Sequence, residues 1–431
     1  MEQFQPLLIF IWQTFLAWWW LILPFVLFHP AKFMWLWWRE ESFWKRVNFK
    51  IYEIKISRDV EKPIKAMESV FAGLWQLYDP PNPRERWLEG QRLLSLSIEI
   101  VSTEGEVHFY LRIPEIAKKP MDSAIYAQFP DIELIEVEDY TKFVPQDIPN
   151  KDWDMWGTNF QLGRDDVYPI RTYPTFFEEN PEGKEEKRLD PMGILLEAFS
   201  RMGKGENLWL QMLLKPITPE DNNYPARGQE VVDRLVNRPD KNNKSTFMQD
   251  VGAVSSTVVT GNAPIEKKEE IRELIPPEMK LTPGERDIVG AIENKIGKYA
   301  FEVNLRVIHL AKREVFFSAN KALFFSYFTQ FGTANMNFFL PLSVTGTKVK
   351  TLFLWFLDAR RAFLKKRRLF RLYTKRLDPL FPRDGGMFIL NIEEMATIFH
   401  FPGQMVSPLS TLPRLESKKG EAPPGLPTVE E

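Results

Sequence analysis

The sequence predicts an α+β protein that begins with one transmembrane helix, continues with two domains of alternating strands and helices, and ends with a basic helical region. Three observations support this fold class. An uncharged apolar run occupies residues 6–28, two consecutive segments repeat the order β-α-β-β-α-β, and residues 348–376 combine eleven basic residues with aromatic ones. The predicted boundaries are 1–46, 47–145, 151–341 and 348–402, followed by a proline-rich tail at 403–431.

The N-terminal run is long enough for a membrane helix. Its 23 residues carry no charge and would form a helix of roughly 35 Å, against about 30 Å for a hydrocarbon core. Glu2 precedes the run, whereas Lys32, Arg39 and Lys45 follow it, which predicts an external N-terminus and a cytoplasmic bulk. A signal peptide or a buried core helix fits this pattern less well. The residues expected to contact the membrane are Trp12, Trp18, Trp19, Trp20, Trp35, Trp37 and Trp38.

Strand and helix patterns alternate in residues 47–145. Apolar residues recur at every second position around 52–56, 94–100, 107–113 and 132–137, and they have helical spacing in 63–78 and 116–129. The turn Glu104-Gly105 joins the two middle strands into a hairpin. The resulting order β-α-β-β-α-β is that of the ferredoxin-like fold.

Residues 151–341 repeat this order with a long insertion at about 219–282. Asp190-Pro191 predicts one helix N-terminus, and the capping box of Thr282 and Glu285 predicts another. Between them, residues 237–277 are polar and poor in large apolar side chains, so we expect disorder or a mobile loop there. The sequence therefore predicts two ferredoxin-like domains in tandem.

Composition excludes several classes of chemistry. The chain has no cysteine, which excludes disulfides, cysteine-ligated metals and a thiol nucleophile. Its four histidines lie far apart, and neither an HExxH pattern nor a phosphate-binding loop motif occurs. The net charge of −2 gives no global preference for nucleic acid. We expect no enzyme, no metal and no cofactor.

The basic segment is the strongest candidate for a functional site. Phe356, Phe363 and Phe370 are seven residues apart, so one helix could bury them on a single stripe. The cations expected to make contact are Arg360, Arg361, Lys365, Lys366, Arg367, Arg368, Arg371, Lys375 and Arg376. Three interpretations stay open: binding to the phosphates of DNA, binding to anionic lipid, and a docked helix with a solvated basic face.

A short amphipathic helix is predicted at the end of the ordered region. Asn391 is a suitable N-cap with Glu394 at the N3 position, and Pro402 ends the pattern. A helix this short needs a partner surface to be stable. The residues expected to dock on another protein are Asn391, Glu394, Ile398 and Phe399.

Three motifs carry a resemblance to a known family. They are FYLRIPE…IYAQFPDIELIEVEDYT at 109–141, DMWGTNFQL at 154–162 and FILNxEExATxFHFP at 388–402. They resemble a family of bacterial membrane-anchored proteins of unassigned function. Members typically lie before or beside an ATPase that is similar to type IV secretion coupling proteins and HerA/FtsK-type DNA translocases. The resemblance implies the bacterial inner membrane and no catalytic residues to carry over. It also implies a P-loop ATPase, which is either a separate partner polypeptide or the missing part of a longer protein of which this chain is a truncated or split version.

Together these observations predict a non-catalytic, membrane-anchored component that docks or positions a DNA-translocating ATPase of the type IV secretion or conjugation kind. Its basic helix would contact DNA. The alternative is a scaffold or adaptor of an envelope assembly that has no nucleic-acid contact. A ring-shaped motor would require several copies of the chain, so a homo-oligomer is also expected, with a copy number that the sequence does not encode.

Overall fold

The protein, as a computed structural model, is described for residues 5–56, 62–178, 187–188, 190–236, 281–351, 355–379, 382 and 384–402. Its strands are β1 (Phe49–Lys55), β2 (Leu96–Thr103), β3 (Glu106–Pro114), β4 (Glu133–Val137), β5 (Trp153–Leu162), β6 (Phe177–Glu178), β7 (Lys187–Arg188), β8 (Glu206–Ile217), β9 (Ala300–Lys312), β10 (Phe339–Pro341) and β11 (Met387–Asn391). Its helices are α1 (Gln5–Arg46), α2 (Lys65–Trp75), α3 (Lys118–Tyr126), α4 (Met192–Ser200), α5 (Tyr224–Leu235), α6 (Pro283–Ile296), α7 (Lys321–Thr329), α8 (Asp358–Thr374) and α9 (Ile392–Ile398).

A nine-stranded antiparallel sheet forms the centre of the protein. The strand order is β10-β5-β9-β8-β2-β3-β1-β4, and β11 also pairs with β9. The N-terminal half contributes β2-β3-β1-β4 and the C-terminal half contributes β10-β5-β9-β8. Each half therefore has the strand order that a split βαβ unit produces. The short strands β6 and β7 pair only with each other.

The prediction of two separate ferredoxin-like domains is wrong, because the two halves share one sheet. Strand β2 pairs with β8 over eight residues, from Leu96 opposite Leu214 to Thr103 opposite Asn207. Each half would otherwise present an edge strand with unpaired backbone N–H and C=O groups, and their pairing removes both edges. Sequence periodicity predicts the strands, but it does not predict which edges meet.

Both faces of this sheet are covered. Alternate residues point to opposite faces, so Ile100, Leu208 and Val307 pack under the helical layer of α2, α3, α4, α7 and α9. Their neighbours Val101 and Trp209 point to the other face, where α8 and the segment around residues 140–148 lie. The basic helix α8 is therefore an integral layer of the fold.

The expected transmembrane helix is also wrong. Among the residues that the structure describes, no helix is long and apolar enough to cross a membrane. Helix α1 continues for 42 residues, well past the apolar run, and its second half contacts the folded region. There Glu40 pairs with Arg92, and the Trp35 indole donates to the Trp87 carbonyl at 2.9 Å. The apolar run itself contains Gln13 and several tryptophans, whose polar indole N–H lowers its hydropathy.

The predicted insertion is partly structured. Helix α5 lies inside it and packs against α6, with Val232 and Ile292 fully buried between them. The capping box of Thr282 and Glu285 is present at the start of α6. Residues 237–280 and the tail 403–431 lie outside the described part of the chain.

His309 is a fully buried histidine of the central strand β9. Its ring stacks on Phe316, with centroids 5.0 Å apart, and the Glu206 carboxylate is 3.9 Å from its Nε2. Within the described part of the chain, neither ring nitrogen has a hydrogen-bond partner. Burial therefore lowers the pKa of His309 from 6.5 to about 4.

The His309→Leu variant is expected to lose part of the acid sensitivity of the wild-type chain. The unfolded state binds a proton at His309 more readily than the folded state. The contribution of neutral His309 to wild-type stability is therefore present above pH 6.5 and is lost as the pH falls towards 4. This single group accounts for about 2 kcal/mol between roughly pH 7 and pH 5. Urea unfolding of both chains at the two pH values measures the difference. An equal pH dependence in both chains would contradict the assignment.

Candidate functional site

Helix α8 lies across one face of the sheet and is held there by a few large side chains. Leu369, Phe370 and Tyr373 are buried, and the rings of Phe370 and Tyr373 stack on Trp209 with centroids 6.4 and 5.3 Å away. Gly157 of β5 permits this approach, since a Cβ there would lie 2.7 Å from Leu369. The face of α8 opposite these contacts is left for solvent.

The predicted stripe of three phenylalanines is buried only at Phe370. Phe356 is 63 % exposed and Phe363 is 40 % exposed, whereas Phe370 is 2 % exposed. The buried stripe instead follows the residues that meet Trp209, while Phe356 belongs to the 3₁₀ turn that precedes the helix. The exposed rings of Phe356 and Phe363 therefore lie just before α8 and in its N-terminal part.

Arg376 is an internal residue, which corrects its assignment as a contact residue. Its guanidinium makes a bidentate pair with Glu99, with Nε–Oε1 at 2.9 Å and Nη2–Oε2 at 3.0 Å, and it also pairs with Asp139. Tyr140 and Gln211 donate to the same Glu99 carboxylate at 2.7 and 2.8 Å. Arg376 thus ties the C-terminal end of α8 to the centre of the sheet.

The charge of Arg376 decides the protonation of Glu99. Complete burial by itself raises the pKa of Glu99, but the adjacent guanidinium and the hydrogen bonds from Arg376 and Tyr140 outweigh burial, so the pKa lies below its ordinary value. The same carboxylate holds the pKa of Arg376 well above its ordinary value despite burial. Both groups are therefore charged inside the protein.

Lys365 and Lys366 also point back to the protein. Lys366 forms an ion pair with Asp154 of β5 at 2.6 Å, and both side chains are largely buried. Lys365 donates to the Gly346 and Ser343 carbonyls at 3.3 and 3.4 Å. These two lysines fasten α8 to β5 and to the loop that follows β10, so they are not free for a ligand.

The other predicted cations form the outward face of α8. Arg361 is half-buried near the N-terminal end of the helix, where Asp358 accepts hydrogen bonds from Thr351. We call the five exposed residues the cationic ridge: Arg360, Arg367, Arg368, Arg371 and Lys375. Within the described part of the chain, none of these five has an ion pair with a carboxylate. At 1.5 Å per residue the ridge is about 22 Å long.

The predicted docking residues are buried in the protein's own core. Asn391 caps α9, and its Oδ1 accepts from the Glu394 N–H at 2.8 Å. Glu394 in turn pairs with the buried Lys295 at 3.0 Å and accepts from the Ile170 N–H at 2.9 Å. Ile398 and Phe399 are 1 % exposed. The partner surface that this short helix requires is therefore α2 and the sheet of the same chain, which corrects the docking assignment.

The aromatic residues of α1 are exposed. Trp12, Trp18, Trp20, Trp35, Trp37 and Trp38 each expose more than two fifths of their surface, whereas the side chain of Trp19 lies outside the described part. The Arg39 guanidinium lies 5.6 Å from the ring centroids of both Trp35 and Trp38. Sequence reasoning placed these rings in a membrane; the structure leaves them on the surface of a long helix.

Sequence reasoning missed two features. Glu99 lies between Ile98 and Ile100, a position that alternation assigns to a solvated face, and only the packing of α8 makes it internal. The second feature is a stack of Tyr78, Trp75 and Tyr299 beside an open cavity. The sequence could not show that Tyr299 belongs to this stack, because its ring partners are more than 200 positions away.

Comparison with known proteins gives a family without an activity. A family model described as a domain of unknown function (DUF8128) matches residues 54–320, which is more than half of the chain. No curated protein matches the sequence. The match ends before α8, so the cationic ridge lies outside it. Within the described residues, no group of three or more His, Asp or Glu side chains could hold a metal ion.

Proposed function

The chain belongs to the DUF8128 family, and we propose that it is a non-catalytic DNA-binding component whose cationic ridge contacts the phosphate backbone. The observation that carries this proposal is the division of the basic residues of α8. Those that face the protein are paired or hydrogen-bonded, whereas the five of the ridge have no carboxylate partner in the described part of the chain. A row of unpaired cations on a fixed helix is suited to phosphate binding by counterion release.

The dimensions of the ridge support DNA as the ligand. A length of about 22 Å matches about six base pairs of a duplex, in which each strand advances 3.4 Å along the helix axis per phosphate. Arg367 lies over the ring of Phe363 at 5.7 Å, which limits its freedom while leaving its N–H groups available. The ridge is thus a straight, partly pre-ordered line of donors.

The burial of α8 argues against a lipid surface as the ligand. A helix that binds in the interfacial plane inserts a continuous apolar face among the lipids. The apolar stripe of α8, formed by Leu369, Phe370 and Tyr373, is occupied by the sheet. From residue 367 to residue 375 the exposed side chains are all cations, namely Arg367, Arg368, Arg371 and Lys375, which suits a polyanion in water.

The expected test result is a loss of DNA affinity and of its salt dependence when four ridge cations are replaced. Each phosphate contact contributes roughly one unit to the slope of log K against log salt, so the slope should fall by about 3–4 units between roughly 50 and 200 mM salt. Fluorescence polarisation with a labelled duplex measures this slope. The variant carries Arg360→Gln, Arg367→Gln, Arg368→Gln and Arg371→Gln.

A matched control removes the same charge from exposed sites on other elements. The control variant carries Lys65→Gln, Arg84→Gln, Lys119→Gln and Lys204→Gln. It should keep the wild-type slope. Equal slopes in the ridge variant and the control, or no DNA binding by the wild-type chain, would exclude the proposal. A third outcome would assign the ridge to lipid: the wild-type chain binds anionic vesicles but not DNA, and the ridge variant loses vesicle binding while the control keeps it.

The resemblance to proteins that accompany DNA-translocating ATPases suggests what the bound DNA is for. We propose that the chain positions DNA for a separate P-loop ATPase of the type IV secretion kind. Helix α9 is internal and cannot be the docking element, so the contact with the ATPase must use another surface. Affinity purification of the tagged chain under gentle conditions, followed by mass spectrometry, tests for a stoichiometric ATPase.

The alternative function is a scaffold that acts through contacts other than DNA, and the exposed aromatic side chains of α1 favour it. Large apolar residues in such number are typical of surfaces that other molecules cover. Examples are Trp12, Trp18, Phe25, Phe28 and Phe33. Recovery of other proteins without an ATPase, together with wild-type behaviour of the ridge variant, would support the scaffold.

A further inference from the structure

An open cavity of about 530 Å³ lies where the C-terminal end of α6 meets the start of β9. The aromatic residues Trp75 and Tyr299 are part of its lining, as are Pro219, Pro225 and Ile296. We call this cavity the aromatic slot. It is separated from the cationic ridge by the sheet, since α2 packs on the opposite face from α8.

The aromatic rings of the slot are stacked and fixed. The ring centroids of Tyr78 and Trp75 are 5.9 Å apart with an interplanar angle of 7°, and those of Trp75 and Tyr299 are 4.4 Å apart at 24°. The Trp75 indole donates to the Ile217 carbonyl at 3.0 Å, and the Tyr78 hydroxyl lies 3.2 Å from Thr218 Oγ1. Tyr299, at the open end of the stack, is 52 % exposed.

The charge at the slot is already neutralised. Lys298 lines the cavity, but its ammonium group pairs with Glu393 and also with Glu68 at 3.3 Å. The slot therefore offers the exposed ring of Tyr299, at the end of the stack, and proline rings, without a free charge. Such surfaces bind polyproline II segments, whose proline rings pack on aromatic faces and whose backbone loses little entropy on binding.

The C-terminal tail of the same chain contains such a segment. Residues 423–427 read Pro-Pro-Gly-Leu-Pro, which begins 21 residues after Pro402. Ile392 lines the slot and is ten residues from Pro402. Pro402 is therefore within about 35 Å of the slot, whereas 21 extended residues span up to about 70 Å. The tail can reach the slot without strain.

A second proline pair, Pro276-Pro277, cannot reach the slot as easily. Pro277 is five positions before Thr282 at the N-terminal end of α6, which limits its reach to about 18 Å. The slot lies at the opposite end of α6, whose 14 residues span about 21 Å. We propose that the aromatic slot binds residues 423–427 of its own chain.

The absence of cysteine makes a cross-linking test specific. In the variant Glu220→Cys/Thr428→Cys, one thiol is next to Pro219 at the slot and the other follows the tail segment. Mild oxidation should close an intramolecular disulfide, seen as faster migration on a non-reducing gel. The control Lys204→Cys/Thr428→Cys places the first thiol beyond the other end of β8, about 40 Å from the slot. We expect the slot pair to close at least about 10-fold faster, because docking raises the effective concentration.

Substitutions in the tail test the role of the prolines. Pro424→Ser with Pro427→Ser should reduce the closure rate of the slot pair to that of the control pair, and Tyr299→Ser should do the same. Equal closure rates for the two cysteine pairs would exclude the proposal. A closure rate of the slot pair that stays the same after the proline changes would also exclude it. A cross-linked dimer as the main product would assign the slot to the tail of a second copy and so overturn the intramolecular assignment.

Discussion

Replacing Arg376 with methionine is expected to destabilise the chain by about 3–5 kcal/mol. The change keeps much of the side-chain volume but removes the charge that faces Glu99, and Glu99 is fully buried. Breaking a buried ion pair from one side leaves an uncompensated charge in the interior, which is the costly case. Urea unfolding at neutral pH measures the loss of free energy.

Arg376 is buried just after the end of α8, whereas Arg371 on α8 is exposed and serves as the control. Arg371→Met removes the same charge from the solvent side of α8 and should change stability by no more than about 0.5 kcal/mol. A similar cost for both variants would show that the buried pair is not the cause.

The pH dependence of the Arg376→Met variant gives a second test. In the wild-type chain the pKa of Glu99 is depressed, so its stabilising effect is present at neutral pH and is lost as the pH falls through the carboxyl range. Without the guanidinium, burial raises that pKa, so acid relieves the variant by protonating Glu99. The difference in stability between the two chains should therefore shrink as the pH falls. A constant difference would contradict the assignment of charge to Glu99.

Trp209→Ala should cost about 3–5 kcal/mol and should at the same time weaken the DNA binding that we propose for the cationic ridge. Trp209 is 1 % exposed and contacts Tyr140, Phe370 and Tyr373, with ring centroids 5.2, 6.4 and 5.3 Å away. Truncation leaves a cavity directly under α8. Its indole N–H has no hydrogen-bond partner in the described part of the chain, so the cost is one of packing. Urea unfolding and the salt-dependent binding assay measure the two effects.

Two further variants show whether the loss of stability depends on the buried position of Trp209 or only on the removal of a tryptophan. Trp355→Ala removes a side chain that is 72 % exposed and should change stability by no more than about 0.5 kcal/mol. Trp209→Phe keeps a ring under α8 and should lose clearly less than the alanine variant. Full DNA binding by a folded Trp209→Ala chain would show that the ridge does not depend on this packing.

Local patterns predicted the elements of the fold well. The alternation of Leu96, Ile98 and Ile100 marks β2, and the turn at Glu104 and Gly105 joins it to β3 as expected. These signals arise between residues that are only a few positions apart, so a single sequence is enough to recognise them. The joining of β2 to β8 depends on residues more than 100 positions apart, for which periodicity carries no information.

The assignments of Arg376, Lys366 and the docking residues of α9 failed for the same reason. The sequence located the basic helix, but Arg376 and Lys366 find their partners Glu99 and Asp154 far away in the chain, at separations of 277 and 212 residues. The cap of α9 was predictable because Asn391 and Glu394 are three residues apart. Their burial was not, because it results from packing on α2.

The seam between β2 and β8 has a consequence for the order of events on the ribosome. The hairpin of β2 and β3 is synthesised roughly 100 residues before β8 is complete, an interval of about 5–20 s at 5–20 residues per second. During that interval β2 is an open edge on a nascent chain, the kind of surface that other chains can join. The core of the N-terminal half closes later still, when Phe399 and Phe401 pack on Phe109 and Phe129 with centroids 5.9 and 4.9 Å apart. The core of the first half is therefore complete only after nearly all of the second half has been made.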